Sequence, residues 1–209
     1  MSINLQKGQK IDLTKGGGGL SRIMVGLGWD EAQQAPQQSG GFFGLFKSQP
    51  QTQDIDCDAS AILLNANGKL YGTEANDCVV YFGNLTHSSG AIVHQGDNLT
   101  GAGDGDDEQI MVDLSRVPQD VFKIVFVVNI YDASVRGQHF GMIQNAFIRL
   151  VDLSNNSEIC RFNLSENYYG MTGMVVGEIY RYNGEWKFNA IGQPVQDASR
   201  LQSLLNLYM

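Results

Sequence analysis

A mainly β fold, a β-sandwich with short helices including a C-terminal amphipathic helix, is what this sequence predicts. Three observations carry the prediction. Short runs rich in β-branched and aromatic residues recur between turn residues. Two turn signals, Asn183-Gly184 and Ser154-Asn155-Asn156-Ser157, each sit between such runs. Helical spacing of apolar residues appears only near the end of the chain.

Taken in order, Ser60 to Leu64 runs into the turn Asn65-Ala66-Asn67-Gly68 and then Lys69-Leu70-Tyr71. Asn and Gly tolerate the positive φ that such a turn needs. Cys78 to Phe82, Ala91 to His94 and Gln109 to Leu114 are short strand candidates. Val121 to Tyr131 is nearly continuous in apolar residues, as a strand buried on both faces would be. Ala146 to Asp152 with Ile159 to Leu164 forms one hairpin, and Val175 to Tyr182 with Glu185 to Ile191 another. Asp197 to Tyr208 sets Leu201, Leu204, Leu205 and Tyr208 on one helical face.

The chain has 209 residues, 43% of them apolar, which suits a single domain over residues 1–209 with a real core. Residues 31–53 interrupt it. They are Gln-rich, hold Pro36, Pro50 and Gly40-Gly41, and read as a flexible insert. Phe42, Phe43, Leu45 and Phe46 form an apolar cluster inside it that either tucks onto the domain or hooks a partner. Gly16 to Gly19 is a second flexible stretch.

Charge is unevenly placed. The formal net charge is -8. Between Asp54 and Glu108 ten carboxylates face the single base Lys69, a net of -9, and the rest of the chain nets +1. Such an acidic balance argues against nucleic acid and anionic membrane surfaces as partners. Cys57, Cys78 and Cys160 show no metal-ligand spacing and read as reduced, buried thiols. Met1 to Gly8 has no apolar signal-peptide core, and Val121 to Tyr131 is too short to cross a bilayer. The expectation is a soluble cytoplasmic protein without direct membrane insertion.

The excess carboxylates fall in two clusters. Asp54-Ile55-Asp56-Cys57-Asp58-Ala59-Ser60 places carboxylates at every second residue, on one face of a strand. Gly96 to Glu108 holds Asp97, Asn98, Asp104, Asp106, Asp107 and Glu108 among four glycines. A hard divalent cation would turn this repulsion into coordination. Calcium takes six to eight oxygens in a forgiving geometry, whereas zinc prefers Cys or His, and neither clusters here. The plain alternative is a solvated acidic loop with no site. Known motifs fit poorly. Read as an EF-hand, Asp56, Asp58 and Ser60 would be followed by Ala61 where Gly is needed and Asn67 where Glu is needed. A phosphate loop is rejected, because adjacent carboxylates repel phosphate and no Gly-Lys-Ser/Thr follows.

Gly26-Leu27-Gly28-Trp29-Asp30, the Asp54 to Ser60 run and the Gly96 to Glu108 run together resemble the TerD family of tellurium-resistance and general-stress proteins. The resemblance continues through Val112-Asp113-Leu114, Phe126 to Ile130 and Asn145 to Asp152. It implies a β-sandwich binding calcium in its acidic loops, a bacterial cytoplasmic setting, and stress-response proteins as possible partners. Carried over by position, Asp56, Asp58, Asp97, Asn98, Asp106, Asp107 and Glu108 are the implied calcium ligands. Asp104 and Asp54 are further candidates, and Thr100, Gly101 and Gly103 would contribute backbone carbonyls. The carboxylate count allows two Ca2+ ions.

Catalysis finds little support. His87, His94 and His139 are scattered, and no nucleophile-base motif stands out. The expected function is a non-enzymatic, calcium-binding stress-response protein linked to tellurite resistance, whose ion-ordered loops present a surface to partners. A metal-dependent hydrolase and a metal-independent interaction scaffold are the alternatives.

Overall fold

The computed structural model describes residues 2–14, 19–31, 55–96, 105–164 and 166–209. Within them, two six-stranded sheets pack face to face. The first sheet contains β1 (Ile3–Leu5), β3 (Arg22–Glu31), β6 (Ile92–His94), β7 (Glu108–Asp113), β9 (Ile143–Asp152) and β10 (Ser157–Asn163), ordered β1-β10-β9-β3-β7-β6. The second contains β2 (Lys10–Asp12), β4 (Cys57–Leu64), β5 (Val79–Val80), β8 (Lys123–Ile130), β11 (Gly173–Tyr182) and β12 (Glu185–Val195), ordered β2-β12-β11-β8-β4-β5. The predicted sandwich is therefore the observed architecture.

Alternation explains how one sequence fills two layers. Ile23, Val25 and Leu27 of β3, Ile110 and Val112 of β7, and Ile148 and Leu150 of β9 face Ala59, Ala61, Leu63, Ile124 and Phe126 from the opposite sheet. The intervening residues Ile62, Leu64, Val125, Val127 and Val175 point outward into a second cluster with Ala198, Leu204 and Leu205. So β8 is apolar on both faces because both are covered, one by the first sheet and one by the C-terminal segment. The helix there is shorter than its periodicity predicts. The α-helical part is α3 (Leu201–Leu205), continued by a 3-10 turn over Asn206–Tyr208. Asp197, with φ of 54°, stands in the left-handed region, so the helix starts only after it.

Both hairpins form. Asn183 and Gly184 take φ of 52° and 79°, the pair of left-handed residues that matches the twist of β11 and β12. β9 and β10 are antiparallel across the 154–157 turn. Two strand expectations are corrected. Lys69-Leu70-Tyr71 reduces to a single bridge between Leu70 and Leu64. Cys78 ends a helical turn, α1 (Ala75–Cys78), and only Val79–Val80 of the Cys78 to Phe82 run is strand.

The largest omission is β3, a ten-residue strand between β7 and β9. Its glycines depress β-propensity, yet they serve close packing rather than flexibility. A Cβ on Gly26 would lie 2.3 Å from the Asp106 carboxylate carbon, and one on Gly28 would lie 2.5 Å from the Phe147 ring. Glu31 belongs to β3, so the expected insert starts one residue too early. The rest of that insert, with Phe42, Phe43, Leu45 and Phe46, and Gly16 to Gly18 lie outside the described residues.

Candidate functional site

Strand register brings the two acidic runs to one end of the sandwich. Leu27 pairs with Glu108, and Cys57 and Asp58 pair with Ile130 and Asn129. The ends of β3, β6 and β8 therefore meet the starts of β4 and β7. At their centre is Cys57, 1% exposed. Burial first, then the charges of Glu108, Asp58, Asp56 and Asp107, push its thiol well above the ordinary value. Carboxylates 50 positions apart in sequence thus share one field. A protonated, buried thiol is a poor nucleophile. Cys57 should resist iodoacetamide at pH 8 in the native protein and react after denaturation, as mass spectrometry of the alkylated peptide would show. Native labelling at the denatured rate would refute this burial.

The carboxylates do not all turn toward one point. Asp106, Asp107 and Glu108 are consecutive but fan out to three partners. The Asp106 side chain is fully buried and takes a bidentate pair from Arg149, Nε to Oδ1 at 2.7 Å and Nη2 to Oδ2 at 2.9 Å. Gln109 Nε2 donates to the same Oδ2 at 3.2 Å. Arg149 reaches on to Glu158 at 3.3 Å, and its hydrogen bond to Asp106 is the main reason its pKa is raised. Asp107 Oδ2 accepts the Trp29 N–H at 2.7 Å. Burial holds Asp107 above the usual carboxylate range, with Trp29 offsetting and Asp30 and Asp106 adding to it.

Glu108 points into the sandwich and is 2% exposed. β5 pairs only with Ala61 and Ile62, which leaves the Ala59 backbone at the open edge of β4. Ala59 N–H donates to Glu108 Oε2 at 2.6 Å, and the Ala59 carbonyl lies 3.2 Å from His94 Nε2. Gly96 N–H donates to His94 Nδ1 at 3.1 Å, so Nε2 carries the proton and faces both the carbonyl and Glu108, the latter at 3.4 Å. His87 is likewise buried, against Ser89 and the Asp77 carbonyl. Two of the three histidines are therefore interior, hydrogen-bonded groups.

On the opposite side of β4, Asp58 shares the outer face with Ser60, and Asn129 Nδ2 donates to its Oδ2 at 3.1 Å. Asp56 Oδ2 lies 3.9 Å from an Arg136 nitrogen. Asp54, Asp97, Asn98, Thr100, Gly101, Gly103 and Asp104 lie outside the described residues. Among the described residues, no group of three His, Cys, Asp or Glu side chains is arranged to hold a metal ion. Donor chemistry at this end nevertheless fits a hard cation: the thiol keeps its proton, both nitrogens of His94 are engaged, and what remains is oxygen.

Sequence reasoning gave no role to Arg149, His94, Gly26 or the Trp29 N–H. Arg149 could have been found as a solitary base within the apolar run of β9, where a buried carboxylate is its natural partner.

Two packed sheets with Asp56, Asp58, Asp106, Asp107 and Glu108 at one end define a β-sandwich protein with a carboxylate-rich pole. The chain belongs to the TerD family: the TerD domain model matches residues 1–208. It is 52% identical to the stress response protein SCP2 of Bacillus subtilis (strain 168), over 100% of both chains. It is 45% identical to a tellurium resistance protein TerD of Serratia marcescens, over 92% of this chain and 91% of the relative. A crystal structure of a TerD homologue from Streptomyces coelicolor superposes with a TM-score of 0.61 at 20% identity, covering 86% of this chain and 92% of that one. At that identity the likeness speaks for the fold alone. No helix among the described residues is long and apolar enough to cross a membrane.

Proposed function

We propose that this chain is a cytoplasmic, non-enzymatic calcium-binding stress-response protein linked to tellurite resistance, in which Ca2+ orders the acidic loop and completes a surface for partners. The observation that carries the reading is that strand register brings Asp56 and Asp58, at the start of β4, to the same end of the sandwich as Asp107 and Glu108, at the start of β7. The names of the relatives, stress response and tellurium resistance proteins, support the stress link.

Within this reading the carboxylates divide their work. Asp106 and Glu108 anchor the strand end, through Arg149 and the Ala59 N–H. Asp56 and Asp107 would hold the ion together with Asp97, Asn98 and Asp104, and with carbonyls from Thr100, Gly101 and Gly103. When bound, calcium supplies positive charge that offsets the mutual repulsion of these groups. Trp29 N–H and Arg149 hold the Asp107 and Asp106 side chains in place, and His94 fixes Gly96 where the loop departs.

Calorimetric titration tests the reading. Wild-type protein should bind Ca2+ saturably and more tightly than Mg2+, with an affinity loss of tenfold or more in Asp97→Asn, roughly the effect of losing one charged ligand. Absence of Ca2+ heat, or identical titrations for the variant, would overturn it.

A further inference from the structure

At the end of the sandwich opposite the acidic runs, a pocket of about 340 Å³ opens over the first sheet, between β3, β6 and β7. Strand register fixes how far it lies from them. Arg22, which lines the pocket, pairs with Asp113 at the finish of β7, whereas Leu27 pairs with Glu108 at its start. The strand rise between the two pairs is roughly 16 Å.

Arg116 and Arg22 both line this pocket, both are exposed, and neither is neutralised by a carboxylate. The turn after β7, with Arg116 N–H donating to the Asp113 carbonyl at 3.0 Å, returns Arg116 toward the segment before β6. There its Nη2 donates to the Ser89 carbonyl at 3.0 Å. Gly90 leaves the room for it: a Cβ there would lie 2.9 Å from that same Nη2, and the φ of 66° favours glycine. Arg22 stands across the ladder from Asp113, where opposite charges ordinarily make a cross-strand pair. Asp113 is engaged elsewhere. Its Oδ1 accepts the Ser115 N–H at 3.1 Å and the Ser115 hydroxyl at 2.6 Å. Among the described residues the Arg22 guanidinium therefore has no hydrogen-bond or ion-pair partner. Between the two arginines the lining is apolar. Val93 and Met111 are paired across the ladder and alternate with the core residues Ile92, Ile110 and Val112, so their side chains stand on the outer face. Leu153 completes that wall.

We infer that this pocket binds a small organic monocarboxylate with an apolar body. A guanidinium matches a carboxylate in shape, offering paired N–H donors to its two oxygens. The charges agree as well. Arg22 and Arg116 together with Asp113 leave one net positive charge, which one carboxylate cancels. A dianion would stand in excess beside Asp113, and a metal cation would be repelled by both arginines. The apolar surface of Val93, Met111 and Leu153 covers an alkyl or aryl stem, which a bare inorganic anion lacks. The site goes beyond the calcium reading and uses none of its residues.

The test is an NMR titration of the full chain with sodium hexanoate at constant ionic strength, following the Met111 methyl signal, which Met111→Leu assigns. A saturable shift with a millimolar dissociation constant is expected, in chelator and in calcium alike. n-Hexanol and n-hexylammonium chloride at equal concentration should give none, and inorganic phosphate should bind more weakly than hexanoate. Arg22→Gln and Arg116→Gln, both at exposed positions, should each weaken binding about tenfold, the effect of one charge-assisted pair. An equal response to n-hexanol, phosphate binding as tightly as hexanoate, or unchanged binding in both glutamine variants would each overturn the assignment. A flat hexanoate titration would overturn it too, and would leave the calcium reading untouched. Failure of calcium binding with the hexanoate response intact would remove only the function proposed above.

Discussion

Replacing Arg149 with methionine should lower the unfolding free energy by about 3–5 kcal/mol, the usual cost of stripping one partner from a buried ion pair. Asp106 is the reason. Its carboxylate is fully enclosed and receives both guanidinium nitrogens at 2.7 and 2.9 Å. Methionine fills much of the same space but, among the described residues, leaves the charge with only the Gln109 amide. Gly26 offers no side chain to help, because the carboxylate occupies the space a Cβ would take. Urea denaturation checks this: the midpoint should fall with the slope unchanged. Adding Asp106→Asn to Arg149→Met should restore part of the loss, since it removes the stranded charge. A cost below about 1 kcal/mol for the single variant would reduce the pair to the level of an exposed ion pair.

Calcium should raise the melting temperature by about 5–10 °C over chelator when present at a hundredfold excess over its dissociation constant. A ligand that binds only the native state stabilises it by about 3 kcal/mol at that excess. For a domain of this size each kcal/mol moves the midpoint by roughly 2–4 °C. The source is the mutual repulsion of the carboxylates that would hold the ion, Asp56 and Asp107 with Asp97 and Asp104, which the bound charge would offset. Two bound ions would bring the formal charge from -8 to -4. Salt alone should give a smaller shift, because these groups are only partly exposed to screening. Superimposable melts in calcium and chelator would dispose of the calcium reading.

The sheets were legible from sequence where local chemistry decides. Asn183-Gly184 names its own turn type, and Val121 to Tyr131 announces a strand covered on both sides. β3 was not legible, because Gly26 and Gly28 look like breakers until their neighbours Asp106 and Phe147 are known. Lys69 to Tyr71 failed for the opposite reason: β-favouring residues there have one bridge and no strand to extend. In the candidate site, the gathering of two acidic runs could be expected from their density. The direction of each carboxylate could not. Asp106 is claimed by Arg149, 43 positions later, and Glu108 by a backbone N–H 49 positions earlier. Composition carries no trace of such pairings, which are settled by strand order.

That strand order has a consequence for self-association. Among the described residues, both edges of each sheet are stubs: β1 and β6 bound one sheet with three residues each, and β2 and β5 bound the other with three and two. The N-terminal segment covers one edge of each sheet in turn, passing from β1 to β2 within a few residues. A strand edge invites intermolecular pairing in proportion to the run of unpaired backbone it displays. The stubs cover only part of the strands behind them: β2 pairs with Lys187 to Asn189 of the eleven-residue β12, and β5 with Ala61 and Ile62 of the eight-residue β4. Among the described residues, the backbone a second chain would extend thus belongs to β12 and β4, one strand in from the edge, rather than to the outermost strands themselves.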